Sequence, residues 1–152
     1  VREVDFGSMT HLLIVKVGDM PKTILVQDPD VLIRLDLAQT VMDVWPTANV
    51  ILCCAAREVI SLLSGGQKAD VVILRQSLRS LRKTGLAGAI GRPDIRVLLT
   101  GADDDEAPMI AAAGWRTLDM PFTAPQVRAA LREACTDQGL RAESHCNAIG
   151  LG

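Results

Sequence analysis

Aromatic side chains are almost absent. The 152 residues include two tryptophans, two phenylalanines and no tyrosine, 3% in all. A surface that stacks single-stranded nucleic acid needs such rings, and here the core must be built from aliphatic residues instead. An excess of one charge is also missing. Sixteen Lys and Arg face eighteen Asp and Glu, for a net charge of −2, so no overall field draws the chain to DNA or to an anionic membrane. No apolar run approaches the roughly 20 residues of a membrane span. The longest near the start, Leu12-Leu13-Ile14-Val15, is shorter than the about 7–15 apolar residues of a signal-peptide core. The four cysteines, Cys53, Cys54, Cys135 and Cys146, form no C-x-x-C pair. They read as small hydrophobes in a reducing cytoplasm rather than metal ligands. No G-x-x-x-x-G-K-[ST] loop occurs, and Ser64 and Thr100 stand in no His/Asp arrangement, so nucleophilic catalysis has no support.

What is present is regular. Hydrophobic residues make up 49% and charged residues 22%, a globular composition of a length that suits one domain. Five short apolar runs read as strands: Thr23–Gln27, Asn49–Cys54, Asp70–Leu74, Ile95–Thr100 and Trp115–Asp119. Runs of this kind bounded by turn residues fit strands buried on both faces. Helical stretches separate them. Val31–Val44 follows a capping Asp30, with Leu32, Leu35, Val41 and Met42 as its stripe. Ala56–Leu63 closes at Gly65-Gly66. One short helix is expected near Leu78–Ile90, interrupted by Gly85 and Gly88. Ala107–Ala113 follows an acidic loop. Thr123–Ala134 has Thr123 as cap, Val127, Leu131 and Ala134 inward, and Arg128 and Arg132 outward. Strands alternating with helices predict an α/β fold with a doubly wound parallel sheet. Residues 21–135 form the predicted domain, 1–20 an N-terminal extension and 136–152 a polar, aperiodic tail. Within the extension, Gly7-Ser8-Met9 reads as a cloning scar or an internal start, and Met20 as a natural start. His11–Val17 has strand composition and is open to three readings: a strand added at a sheet edge, untranslated upstream sequence, or tail.

In doubly wound sheets ligands bind at the carboxyl ends of the strands. Four pieces at those ends share an order with a known family. They are Lys22-Thr23-Ile24-Leu25-Val26-Gln27-Asp28-Pro29-Asp30, Asp70-Val71-Val72-Ile73-Leu74-Arg75, Val97-Leu98-Leu99-Thr100-Gly101, and Leu118-Asp119-Met120-Pro121-Phe122. Together they resemble the receiver domain of bacterial response regulators over roughly Lys22 to Ala134. The resemblance implies a flavodoxin-like five-stranded sheet of order 2-1-3-4-5. It also implies a phospho-accepting aspartate, acidic side chains around Mg²⁺, a switch hydroxyl and a lysine. Such a set neutralises the oxygen charge of a transferring phosphoryl group.

The departures from that pattern fall on the chemistry. Arg75 stands where the nucleophilic aspartate is expected, and a guanidinium neither accepts a phosphoryl group as a carboxylate does nor deprotonates. The two-acid turn aligns with Asp28 and Pro29, so one carboxylate is missing. Met120 replaces the lysine, and Thr117 stands at the aromatic switch position. Asp28, Asp30 and Thr100 are the retained pocket positions. An internal Asp28–Arg75 ion pair is expected in place of the metal, with Mg²⁺ binding lost or weak, no cofactor and no enzymatic activity.

The resemblance then implies a degenerate, phosphorylation-independent receiver in cytoplasmic signal transduction. It would act through a protein partner (a histidine kinase, phosphotransfer or output protein) or by self-association, with no nucleic-acid or membrane partner. The candidate contact surface is Met109, Ile110, Trp115, Val127 and Arg128. Two alternatives stand beside it: a flavodoxin-like domain binding a small anion or nucleotide through Arg75 and Thr100, and a receiver phosphorylated at a displaced acid, Asp28. Three further signals weigh less. Leu63-Ser64-Gly65-Gly66-Gln67 spells an ATPase signature, but it follows a helix and has no Walker loop. Asp103-Asp104-Asp105-Glu106 reads as a solvated run favouring the start of the next helix rather than a cation site. The basic segment Arg75–Arg96 lacks any recognition helix.

Overall fold

The computed structural model describes residues 21–135. The expected extension and tail, His11–Val17 included, lie outside the described residues. Five strands form one wholly parallel sheet: β1 (Thr23–Gln27), β2 (Asn49–Cys53), β3 (Val71–Leu74), β4 (Arg96–Leu99) and β5 (Arg116–Thr117). The order is β2-β1-β3-β4-β5, the doubly wound arrangement expected from the sequence. The apolar runs of β1, β3 and β4 are central strands. Val71 to Leu74 are all buried, because helices cover both faces of the sheet.

Period-two alternation splits the core in two. On one face Leu25, Val72, Leu74, Val97 and Leu99 pack beneath α2 (Ala56–Ser64), α3 (Leu78–Thr84), α4 (Leu86–Ile90) and α5 (Ala107–Ala112). On the other, Ile24, Val26, Val71, Ile73 and Leu98 meet α1 (Val31–Val44) and the last helix, α6, residues 124–135. Thr123 and Gln126 cap α6 reciprocally, backbone N–H to side-chain oxygen in both directions at 2.8 and 3.4 Å.

Several elements differ from the sequence expectation. The inward face of α1 is Leu37, Ala38, Thr40 and Val41. Of the expected stripe only Val41 is buried, whereas Leu32 is 71%, Leu35 51% and Met42 42% exposed. Apolar residues occupy every side of this helix, so periodicity alone does not identify its inner face. The segment 78–90 is two helices, not one, and they meet at Gly85, whose φ of +83° is open to glycine at little cost. Gly88 interrupts nothing and lies within α4. The fifth strand shrinks from Trp115–Asp119 to Arg116–Thr117, because only Leu98 and Leu99 of β4 offer it partners.

Candidate functional site at the carboxyl ends of the strands

Of the five buried polar or charged residues described, Gln27, Asp28, Thr100 and Glu106 all gather beyond the carboxyl ends of β1, β3 and β4. Beside them opens a cleft of about 670 Å³, lined by Arg75, Gln76, Ser77, Thr100, Gly101, Ala102, Asp104, Asp119 and Met120. Parallel strands that end in register make this concavity, since each hands its chain to a loop at the same height.

Asp28 is the innermost charge, with no solvent exposure. Its backbone N–H donates to Cys53 O at 3.2 Å, and its carbonyl accepts from Arg34 Nη1 at 2.6 Å. Carboxylate Oδ1 accepts from Asp30 N at 2.7 Å and faces Arg75 Nη1 at 3.4 Å. Oδ2 is buried without a hydrogen-bond partner among the described residues. The Arg75 side chain is 38% exposed, so its charge reaches from the carboxylate to the cleft rim. At that distance an effective dielectric near 20 gives an attraction of about 5 kcal/mol before desolvation, and the net contribution is far smaller.

A second network was missed in the sequence. Gln27, not Pro29, is the other buried polar residue at the end of β1; Pro29 is exposed. The turn carries Pro29 outward, whereas the side chain of the last strand residue, Gln27, is buried. Gln27 Nε2 donates to Cys54 O at 3.0 Å, Gln76 Nε2 donates to Gln27 Oε1 at 2.9 Å, and Ser80 Oγ donates to Gln76 Oε1 at 2.6 Å. A polar side chain closing an apolar strand is the signal that marked it.

Glu106 is the second residue overlooked. It belongs to the acidic run read as solvated, yet it is buried. Its carboxylate accepts from Leu78 N and Arg79 N at 2.9 Å and from Asp103 N at 3.0 Å. It therefore holds the first turn of α3 to the β4–α5 loop. Desolvation raises its pKa, but the three backbone N–H groups and the Arg79 charge outweigh that and hold it below the ordinary value. Asp103, Asp104 and Asp105 remain exposed.

Of the retained pocket positions, Thr100 lines the cleft and donates to Leu74 O at 3.4 Å. Met120 also lines it, and its bond to Pro121 is cis. Asp30 is not part of the cleft: its Oδ1 accepts from Leu32 N and Ile33 N as the cap of α1. The proposed contact surface is corrected as well. Ile110 and Val127 are 1% exposed and belong to the core, because each takes the sheet-facing position of its helix. Trp115 is half-buried against the same core. Met109 is exposed, and Arg128 is half-exposed, 3.7 Å from Asp43. At the end of β2, burial pushes the Cys53 thiol up to about 11, with Glu58 adding to the effect.

The donor set does not fit an Mg²⁺ site. Hard cations need several carboxylate or carbonyl oxygens, whereas Asp28 is the only buried acid at the ends of β1 and β3 among the described residues, and a guanidinium already faces it. Among the described residues no group of three or more His, Cys, Asp or Glu could hold a metal, and no helix is long and apolar enough to cross a membrane.

No protein-family model matches the chain, and no curated protein matches it in sequence. Solved structures do. A Burkholderia pseudomallei protein named as pilus assembly-related superposes with a TM-score of 0.58 at 20% identity, over 76% of this chain and 90% of that one. A response regulator receiver protein of Sinorhizobium medicae gives 0.57 at 20%, over 77% and 96%. The chemotaxis response regulator CheY4 of Vibrio cholerae gives 0.55 at 18%, over 76% and 99%. The fold is that of receiver domains.

Proposed function

We propose that the chain is a receiver-fold module of signal transduction that works by protein–protein contact and not by phosphoryl transfer. One observation carries the reading: Arg75, at the end of β3 where the receiver resemblance expects a phospho-accepting aspartate, faces buried Asp28 at 3.4 Å. A protonated guanidinium is no acceptor for a phosphoryl group, and its charge takes the place a cation would fill. The reading includes no enzymatic activity, Mg²⁺ binding lost or weak, a cytoplasmic setting, and a protein as partner rather than nucleic acid or membrane. With no phosphoryl group to set its state, the module shifts only through the partner's differential affinity. Two grooves support a contact role: one between α3 and α5, lined by Arg79, Arg82 and exposed Met109, and one between α1 and α6, lined by Asp36, Asp43, Phe122 and Arg128. The neighbours' names, pilus assembly in one and chemotaxis in another, fit an output carried by surfaces.

The test is incubation of the protein with acetyl phosphate and Mg²⁺, followed by intact mass measurement. No phosphoryl adduct is expected. A stable adduct overturns the reading, and its loss in Asp28→Asn would move the chemistry to Asp28.

A further inference from the structure

β2 is an edge strand whose outer side is unoccupied among the described residues. Asn49 N donates to Lys22 O at 2.8 Å, and Cys53 O accepts from Asp28 N, so residues 49, 51 and 53 turn toward β1. Residues 50 and 52 therefore direct their N–H and C=O groups outward. Both ends of this edge are closed: Ala48 N donates to Trp45 O at 3.1 Å, and Cys54 N to Glu58 Oε2 at 2.8 Å. What remains open is a block of four backbone groups on Val50 and Leu52.

Apolar side chains are also exposed on the helix that packs on this strand. Val31, Leu35 and Met42 are spaced four and seven apart, which places them on one stripe of α1, and all three are exposed. Asp36, Gln39, Thr40 and Asp43 line the groove against α6. The stripe lies about 110° around the helix from that groove, and α1 packs against both β1 and β2. Leu52, 40% exposed, shares its sheet face with Val50, which packs against the core beneath α1. Exposed apolar side chains beside an unpaired strand edge are a template for strand pairing.

We propose that this edge joins a second copy of the chain, β2 against β2, in an antiparallel pair about a two-fold axis at Ile51. The open block is self-complementary in that arrangement: Val50 of one copy and Leu52 of the other exchange both N–H···O=C bonds, and the axis repeats the exchange. An isologous contact requires such self-matching. Charge permits it, because the stripe itself is uncharged and Asp36 and Asp43 line the groove against α6 instead. A five-residue strand and one helix stripe fall well short of the roughly 20–30 residues a side of a standard interface, so the dimer is weak, with Kd on the order of 100 µM.

Hydrogen exchange of the full chain, read by NMR at about 10 µM and 1 mM beside sedimentation equilibrium, tests this. Mass action at that Kd predicts roughly fourfold slower exchange of the Val50 and Leu52 amides at the higher concentration, with a matching dimer fraction. Leu35→Asp is expected to keep its melting temperature, remain monomeric and lose the added protection. Protection that is independent of concentration would assign the edge to the chain's own His11–Val17 and overturn the proposal. So would a monomer with unprotected amides at 1 mM, or a dimer unaffected by Leu35→Asp.

Discussion

Glu106 joins two loops through one carboxylate. It receives the N–H groups of Leu78 and Arg79 at the start of α3 and closes a capping box with Asp103 in its own turn. Its folded-state pKa lies below the unfolded value of about 4.3. The folded state therefore prefers the ionised form, and the stabilisation is complete above about pH 4.3 and is lost as pH falls through the lower folded value. Glu106→Gln keeps the shape, removes the charge and offers one acceptor oxygen to three N–H groups. A loss of about 1–3 kcal/mol at pH 7 is expected, and it narrows as pH drops below about 4. Urea unfolding of both proteins across that range checks it; an undiminished difference at pH 3 would mean that the charge is not what binds the turn. Reading Asp103–Glu106 as a solvated run failed because its four acids look alike in sequence. Only the return of the chain beneath α3 separates buried Glu106 from its exposed neighbours. Asp28 and Arg75 were legible because each closes an apolar strand, and a charge at that place has few seats other than the strand-end site.

At the scale of elements, the legible parts were those with one structural environment. β1, β3 and β4 are buried on both faces and read as unbroken apolar runs. The inner face of α1 is not legible from its periodicity because its outer face also carries Val31, Leu32, Leu35 and Met42, an apolar content that burial within the described residues does not explain. The stretch 78–90 was ambiguous because its two glycines look equivalent in sequence. Gly85 takes a φ of +83° at the junction of α3 and α4, whereas Gly88 has no positive φ and nothing within 4 Å of an added Cβ. Gly85→Ala is expected to cost about 1 kcal/mol or more, from a left-handed conformation that a Cβ disfavours. Gly88→Ala is expected to stabilise by about 0.4–1 kcal/mol, as alanine reduces unfolded-chain freedom and favours helix. Opposite signs in paired denaturation curves are the expected outcome; equal signs would argue for one continuous helix.

For the whole molecule, the Asp28–Arg75 pair lies among three strands of one sheet. Arg75 N donates to Gln27 O at 3.0 Å and Thr100 N to Leu74 O at 2.9 Å, so β1, β3 and β4 are tied together at that level. Gly101 completes the contact, since a Cβ there would meet Gln76 N at 3.0 Å. A charge change at residue 75 therefore acts on the stability of the sheet as well as on the cleft. Arg75→Asp removes the counter-charge and sets a second carboxylate beside a buried one, so like charges meet where opposite ones did. A loss of about 1–3 kcal/mol is expected, moderated because Arg75 is partly exposed. The same substitution supplies the paired oxygens that a hard cation takes. Millimolar Mg²⁺ should then restore part of the lost melting temperature in Arg75→Asp and leave the parent protein unchanged, because a ligand stabilises only the folded form that binds it. Thermal melts of both proteins with and without Mg²⁺ decide the matter. An equal rise in the two would show that the guanidinium does not stand in for the ion. No rise in the variant would show that two carboxylates at this place are not enough to hold the ion.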